Sequence, residues 1–395
     1  MLPLRTLFLN HLAQTSDAPI SLEIEKAEGT CLYDTNGNKY IDLISGISVS
    51  NTGHRHPEVI AAINKQLDKY LHVMVYGEYI LSPQVMLAKF ITELLPEKLN
   101  SVYFVNSGSE AVEGAVKLAK RFTGKTEIIA FKNAYHGSTQ GALSLMGNEE
   151  MKNAFRPLLP DIRFSRFNNI EDIESISEKT ACVIVEPIQG EAGVRIADKK
   201  FLSLLRKKCD AHKCLLIFDE IQTGGGRTGS MFYFEQSGII PDILLLAKGI
   251  GGGMPLGAFI ADKKILNTLS HNPVLGHITT FGGHPVSCAA ALANLKVIKE
   301  EKLFNKALEK EKIFRSLLHS SKIKEIRSKG LLMAVQLDSF RQVSDVITFC
   351  KNQGVITDWF LFCDAALRIA PPLIISEDEI AFSCDVINKG IKKFC

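Results

Sequence analysis

The stretch "LLLAKGIGGGMPLGA", residues 244–258, places one lysine, Lys248, between an apolar run and a glycine-rich bend. A continuous apolar run is typical of a strand buried on both faces, as in parallel sheets. Burying a lysine is costly unless its charge is paired or used, because the charge must leave water. Glycines let the backbone turn sharply or approach another group closely. Lys248 is therefore either the exposed end of a strand or part of a functional site.

Similar apolar runs alternate with helical patterns such as "SEAVEGAVKLAKRF", in which apolar residues recur at spacings of three and four. This alternation predicts an α/β fold with a mostly parallel sheet covered on both faces. Ligands of such sheets bind beyond the carboxyl ends of the strands, where the sequence places Asn106, Glu186, Asp219 and Lys248. The predicted strands are 101–106, 127–131, 181–188, 214–221 and 242–248.

Both ends of the chain differ from this middle region. A long helical pattern from His284 leads into a smaller α+β unit with a helix near residues 343–352. The first residues predict a docking helix, rather than a targeting segment, and then a hairpin around Asn36 and Gly37. We expect three parts: an N-terminal segment (1–45) that joins the small domain, a large domain (46–300) and a C-terminal small domain (301–395).

Composition narrows the function. The 395 residues carry a net charge of only +3, without the basic surplus of a nucleic-acid-binding protein, so we expect a small-molecule partner and no nucleic acid. No apolar run approaches the roughly 20 residues of a membrane span. Nine scattered cysteines form neither a disulfide framework nor a metal-ligand pattern, which favours a cytoplasmic protein without a metal site.

Two motifs supply further polar groups at strand ends. In "FDEIQTGGGRTG", residues 218–229, Asp219 and Glu220 point to opposite faces of a strand, so only one can face a ligand; a helix cap or solvated pair is the alternative. In "VNSGSEA", residues 105–111, a strand leads into a helix whose first N–H groups could bind an anion. Plain N-capping by Ser107 or Ser109 is equally consistent.

The glycine-rich segments do not form a nucleotide P-loop, because that motif requires the lysine after the glycines and Lys248 precedes them. Pyridoxal phosphate (PLP) would explain the three strand-end features together. Its aldehyde reacts with a lysine amine, its ring nitrogen needs an acid, and its phosphate needs backbone donors. Spacing alone does not prove this.

Eight phrases, in order along nearly the whole chain, resemble those of the class III PLP-dependent aminotransferases, the ornithine, acetylornithine and 4-aminobutyrate aminotransferase family. The resemblance implies a fold-type I PLP-dependent transferase, with a mostly parallel large domain and a smaller α+β domain. It also implies a homodimer with shared active sites. The phrases are "GISVSNTGHRHPEV", "FVNSGSEAVE", "NAYHGST", "VEPIQGEAGV", "FDEIQTGGGRTG", "LLLAKGIGGGMPLGA", "TTFGGHPVSCAAAL" and "LRIAPPL".

By this resemblance, Lys248 is the catalytic lysine that bonds to the cofactor and moves the substrate proton, and Asp219 pairs with the pyridine nitrogen. Gln222 matches a glutamine near the phenolic oxygen of the cofactor, and Tyr135 matches an aromatic residue whose ring stacks on the cofactor. His136 is either structural or catalytic. The remaining expected cofactor-binding residues are Ser107, Gly108 and Ser109 in the phosphate turn and Thr280 from the partner chain.

The expected substrate-binding residues are Arg368, Glu191 and Tyr79. Arg368 resembles the arginine that binds a substrate carboxylate, although a surface arginine is the alternative. Glu191 resembles the glutamate that pairs with this arginine. The family commonly has an arginine where this chain has Ser138, which leaves the donor open.

The resemblance implies a transaminase that moves an amino group from an ω-amino acid or ornithine-like donor to 2-oxoglutarate by a ping-pong mechanism. Two alternatives stay open: a PLP-dependent aminomutase or decarboxylase of the same fold, and a non-catalytic PLP-binding relative.

Overall fold

The N-terminal part of the chain forms a helix and a small antiparallel sheet. The computed structural model describes residues 3–395, so residues 1 and 2 of the predicted N-terminal segment lie outside the described part. The predicted turn at Asn36 and Gly37 joins β2 to β3, and β3 also pairs in parallel with the C-terminal strand Val355–Ile356. The elements are α1 (Leu4–His11), β1 (Ile24–Glu28), β2 (Cys31–Asp34), β3 (Lys39–Asp42), α2 (Ser45–Ser48), α3 (Pro57–Leu67) and α4 (Ser82–Thr92).

The middle of the chain forms a seven-stranded sheet with strand order β4-β12-β11-β10-β7-β5-β6. In this sheet, β12 runs antiparallel to both neighbours and the other pairs are parallel. Its elements are β4 (Ser101–Val105), α5 (Gly108–Thr123), β5 (Glu127–Phe131), α6 (Gln140–Ser144), β6 (Ile162–Ser165), β7 (Thr180–Val185), β8 (Ile188–Gln189), β9 (Arg195–Ile196), α7 (Lys199–Ala211), β10 (Leu215–Asp219), α8 (Phe234–Ser237), β11 (Ile243–Leu246), β12 (Gly257–Ala261), α9 (Lys263–Leu266) and α10 (Pro285–Glu300).

The C-terminal part forms a four-stranded antiparallel sheet, with strand order β13-β14-β17-β16, against which α12 packs. The helical pattern predicted after His284 is divided, because Lys302 adopts a left-handed φ of 52° between α10 and α11. The elements are α11 (Leu303–Leu317), β13 (Glu325–Lys329), β14 (Leu332–Gln336), α12 (Phe340–Asn352), β15 (Val355–Ile356), β16 (Asp358–Phe360), β17 (Cys363–Ile369) and α13 (Glu377–Phe394). Short 3-10 helices span Asn153–Phe155, Glu171–Ser175, Lys248–Ile250 and Asn267–Leu269.

The central strands β7, β10, β11 and β12 are buried along their whole length. Four of the five predicted strands end one to three residues earlier than expected; among them, β7 ends before Glu186 and Pro187, and β11 ends before Lys248. Proline has no N–H to donate to a ladder, and Lys248 has a left-handed φ of 46°. The side chains of Glu186 and Lys248 therefore lie beyond the ends of β7 and β11 and take no part in the sheet. Within residues 3–395, no helix has the length and apolar character needed to cross a membrane.

Candidate active site

A cavity of about 630 Å³ lies beyond the carboxyl ends of the central strands. It is lined by all four predicted strand-end residues, Asn106, Glu186, Asp219 and Lys248. The strand order places β10 between β7 and β11, which brings their three strand-end side chains together. Six further expected cofactor-binding residues line the same cavity: Ser107, Gly108, Ser109, Tyr135, His136 and Gln222.

Asp219 is held by a buried histidine. Its Oδ2 lies 2.7 Å from His136 Nδ1, and its Oδ1 accepts a hydrogen bond of 3.0 Å from the backbone N–H of Ile221. His136 is 2% exposed, and its Nε2 has no hydrogen-bond partner among the described residues. The histidine therefore fixes the orientation of the carboxylate within the cavity.

The start of α5 provides the predicted anion-binding turn. Ser107 is the N-cap, since its Oγ accepts from the N–H of Glu110 at 3.2 Å. Capping of this N–H does not remove the anion site, because the N–H groups of the first helical turn lack intrahelical acceptors. A Cβ on Gly108 would lie 2.8 Å from the Ile221 side chain, and one on Gly137 would lie 2.3 Å from Ser109 Oγ. The two glycines are thus required for the tight packing of this turn.

Lys248 begins a 3-10 helix and is surrounded by charge. Burial is the main cause that lowers the pKa of its amine; the negative charge of Glu191 opposes this, and the positive charge of Arg368 adds to it. A lowered pKa increases the fraction of neutral amine, which is the nucleophilic form. Lys248 is therefore suited to react with an aldehyde.

Glu191 and Arg368 form a buried ion pair with 2.7 Å between Glu191 Oε2 and Arg368 Nη2. Burial would favour the neutral acid, but the charge and hydrogen bond of Arg368 outweigh it, and the pKa of Glu191 is lowered. Gln222 Nε2 donates to Glu191 Oε1 at 2.9 Å. Arg368 is thus buried, which answers the alternative that it is a surface residue.

Glu186 was given no role from the sequence, although it lies at a predicted strand end. Burial and the nearby charge of Asp219 raise its pKa, while the hydrogen bond from the N–H of Tyr135 opposes this. The 3.0 Å bond from that N–H to Glu186 Oε2 holds the loop that carries Tyr135 and His136. A glutamate placed just after an apolar strand was the signal in the sequence for this role.

The sequence also missed the surroundings of Arg368. The Phe360 ring lies 4.2 Å from the guanidinium carbon, and the Trp359 carbonyl accepts from Arg368 Nη2 at 3.2 Å. Both residues belong to β16, which pairs antiparallel with β17 in a short hairpin that the sequence analysis did not predict. The two contacts fix the plane of the arginine.

Four expected residues do not line the cavity of this chain: Glu191, Arg368, Tyr79 and Thr280. Tyr79 is 55% exposed, and Thr280 is also exposed. Their assigned roles stay predictions. Ser138 does line the cavity, with its Oγ 3.3 Å from the Tyr135 hydroxyl.

The fold and the cavity define a PLP-dependent transferase of fold type I. A half-buried lysine at a strand end, a buried carboxylate and a phosphate-sized helix start fit the aldehyde, ring nitrogen and phosphate of that cofactor. The chain belongs to the class III aminotransferases, because residues 12–391 match the family described as "Aminotransferase class-III". It is therefore a PLP-dependent aminotransferase, as the sequence motifs indicated, and its substrates are an amino donor and a 2-oxo acid.

Known proteins resemble the chain over nearly its full length. It is 40% identical to the acetylornithine aminotransferase of Methanopyrus kandleri, covering 94% of each chain. It is also 40% identical to that of Methanocaldococcus jannaschii, covering 90% of this chain and 89% of the relative. The ornithine aminotransferase structure from Toxoplasma gondii superposes with a TM-score of 0.91 at 30% identity, covering 98% of this chain and 93% of the other.

The close packing at Gly137 predicts a cofactor-specific defect. Gly137 has φ 128°, and a Cβ there would collide with Ser109, so Gly137→Ala should displace the phosphate turn and weaken PLP binding by about tenfold or more. Gly124→Ala is the matched control, since Gly124 also has positive φ but no atom within 4 Å of the added Cβ. The control should lose about 1 to 2 kcal/mol of stability, the cost of a side chain in the left-handed region, and keep its PLP affinity. Equal affinities in the two variants, measured by titrating apoenzyme with PLP, would contradict this role.

The charges around Lys248 predict a pH effect. Glu191→Gln removes the negative charge that raises the pKa of Lys248 and leaves the Arg368 charge that lowers it. The pKa should fall further, so the neutral amine should persist to lower pH. The pH at which apoenzyme takes up PLP at half its maximal rate should decrease, and Glu325→Gln, which changes a carboxylate outside the cavity, should leave it unchanged. An unchanged or higher midpoint in Glu191→Gln would contradict the assigned electrostatics.

Proposed function

We propose that this class III aminotransferase transfers the terminal amino group of an ornithine-like donor, with N-acetylornithine the first candidate, to 2-oxoglutarate by a ping-pong mechanism. The observation that carries the proposal is the buried Glu191–Arg368 ion pair beside Lys248. The names of the 40% identical relatives support the choice of donor.

In this mechanism PLP, when bound, supplies an electron sink for the carbanion formed at the substrate carbon. Asp219, held by His136 at 2.7 Å, would place a negative charge against the ring nitrogen. The first N–H groups of α5 would hold the phosphate. Lys248, as a free neutral amine, would take a proton from the substrate carbon and deliver it to the cofactor.

The ion pair explains how one site could accept two unlike substrates. While Glu191 neutralises Arg368, the guanidinium is not available to a substrate carboxylate. A donor would therefore keep its α-carboxylate away from Arg368 and present its terminal amine to Lys248. An oxo acid brings its own carboxylate, which could take the place of Glu191 on the guanidinium in a two-pronged contact. Movement of Glu191 would thus alternate the site between the two half-reactions.

We also propose a cytoplasmic homodimer that shares its active sites. All nine cysteines are free thiols, which suits a reducing compartment. Thr280 is exposed on its own chain and follows Thr279, whose hydroxyl accepts from Asn106 Nδ2 at 3.0 Å. Because Thr280 is exposed and does not line the cavity of its own chain, we assign it to the phosphate turn of a second copy.

A screen of donors against 2-oxoglutarate tests the function. N-acetylornithine, ornithine and 4-aminobutyrate are each supplied to the holoenzyme, and glutamate formation is followed. Transfer from N-acetylornithine that requires the oxo acid is the expected result. Donor turnover without an oxo acid would favour an aminomutase or a decarboxylase, and lack of turnover with every donor would refute the proposal.

Ser138 predicts weak binding of 2-oxoglutarate. Arg368 can hold one of its two carboxylates, and Ser138 offers no charge for the second. Since a charge-assisted contact contributes about 1.5 to 3 kcal/mol, Ser138→Arg should lower the KM for 2-oxoglutarate by about ten- to a hundredfold. Ser138→Gln, a long neutral side chain, serves as control. Tight use of 2-oxoglutarate by the wild type that Ser138→Arg weakens would show that another group holds the second carboxylate.

Sharing of sites predicts complementation between inactive chains. Lys248→Ala and Thr280→Ala chains are mixed under conditions of proven subunit exchange. If Thr280 acts on the partner's site, each heterodimer contains one site with both lesions and one with neither, so activity should partly recover. The test requires that Thr280→Ala alone is badly impaired. Absence of recovery would place Thr280 in its own chain's site or outside both.

A further inference from the structure

A second cavity, of about 780 Å³, lies between the β8–β9 hairpin and the C-terminal sheet. Its lining shares no residue with the cavity around Lys248. The lining carries five cations against a single carboxylate, in a chain whose whole net charge is +3. These charged residues are Lys132, Arg166, Arg195, Arg315, Arg327 and Glu325.

Two of the five cations are already neutralised. Arg166 lies 2.6 Å from Asp172, and its hydrogen bond lowers the pKa of that carboxyl to about 2. Arg327 is 8% exposed and donates to the Gly193 carbonyl, while its Nη1 lies 2.5 Å from Glu325. Glu325 is thereby engaged with this buried arginine.

The other three cations have less compensation, and the charge of Lys132 acts only at longer range on Asp172, which already pairs with Arg166. Arg195 reaches Glu325 only at 4.0 Å. Arg315 donates through Nη1 to the Ser328 hydroxyl and a backbone carbonyl, which are uncharged. Throughout residues 3–395, neither Lys132 nor Arg315 has a carboxylate within ion-pair distance. Three cations around one cavity repel each other, and a ligand with several negative charges would relieve that repulsion.

We propose that this second cavity binds a small multivalent oxyanion, an organic molecule or ion with two or more carboxylate or phosphate groups. Arginine guanidinium groups suit both chemistries, since each can form two parallel hydrogen bonds to them. The volume of the cavity lies within the range of small-molecule sites, about 300 to 1,000 Å³.

The wall of this cavity is the loop that carries Glu191. Arg327 Nε donates to the Gly193 carbonyl at 2.5 Å, and the Phe362 N–H donates to the Glu191 carbonyl at 3.0 Å. A Cβ on Gly193 would lie 2.7 Å from Cys363 Sγ, so the loop has no room to shift toward that side chain. A bound anion would therefore lie one layer of backbone away from the Glu191–Arg368 pair.

Calorimetric titration of the holoenzyme with citrate tests the proposal. The wild type should bind one citrate per chain, and Lys132→Gln/Arg195→Gln should bind it at least tenfold more weakly. Both positions are exposed, so this variant should fold, as its thermal midpoint will show. Lys207→Gln/Lys264→Gln removes the same charge from exposed positions elsewhere and should bind normally. Arg368→Ala should also keep citrate binding, which separates this cavity from the active site.

The source of the anion is resolved by competition. Displacement of citrate by pyrophosphate would show that phosphates share the site, and failure of pyrophosphate to compete would restrict it to carboxylates. Acetate at equal ionic strength should not displace citrate. Absence of citrate binding would overturn the proposal, and binding of polyglutamate in its place would indicate a polymer site. Equal weakening of citrate binding in both double variants, or its loss in Arg368→Ala, would also overturn the proposal.

Discussion

The burial of charge at the carboxyl edge of the central sheet is the constraint on which the rest of this enzyme depends. Both faces of β7, β10 and β11 are covered, so the charged groups that follow these strands are largely removed from water. Each must find compensation inside the protein. A hydrogen bond from His136 satisfies Asp219, which ends β10, and Glu191 forms an ion pair with Arg368 of β17, so pairings required for stability also determine the shape of the active site.

These charges act on each other, which makes the site electrically coupled. Lys248 is shifted toward its neutral form by burial and by Arg368, while Glu191 opposes that shift. A substrate carboxylate that displaced Glu191 would therefore alter the amine as well as the arginine. In a class III aminotransferase this gives the proposed switch a direct electrostatic link to the proton-transferring group, without a conformational change across the whole protein.

The cations outside the active site include two kinds, one buried arginine with several hydrogen-bond acceptors and a group of cations around the second cavity. The buried Arg227, whose pKa burial lowers to about 9, donates to Asn51 and to the carbonyls of Leu331 and Pro371. It thereby ties the N-terminal and C-terminal parts of the chain to the segment that follows β10. The second cavity differs, because five cations line it with a single carboxylate. A buried cation with several acceptors is structural, whereas an excess of cations over carboxylates at a cavity is a basis for ligand binding.

The sequence by itself determined the α/β class and the strand-end positions of Asn106, Asp219 and Lys248, because buried strands and glycine bends leave strong local patterns. It did not reveal β12, whose glycine-rich start hides a strand that pairs between β4 and β11. Only the tertiary structure decided that His136 holds Asp219 and that five cations surround a second cavity. These contacts join residues far apart in the chain, and no local pattern encodes a distance between them.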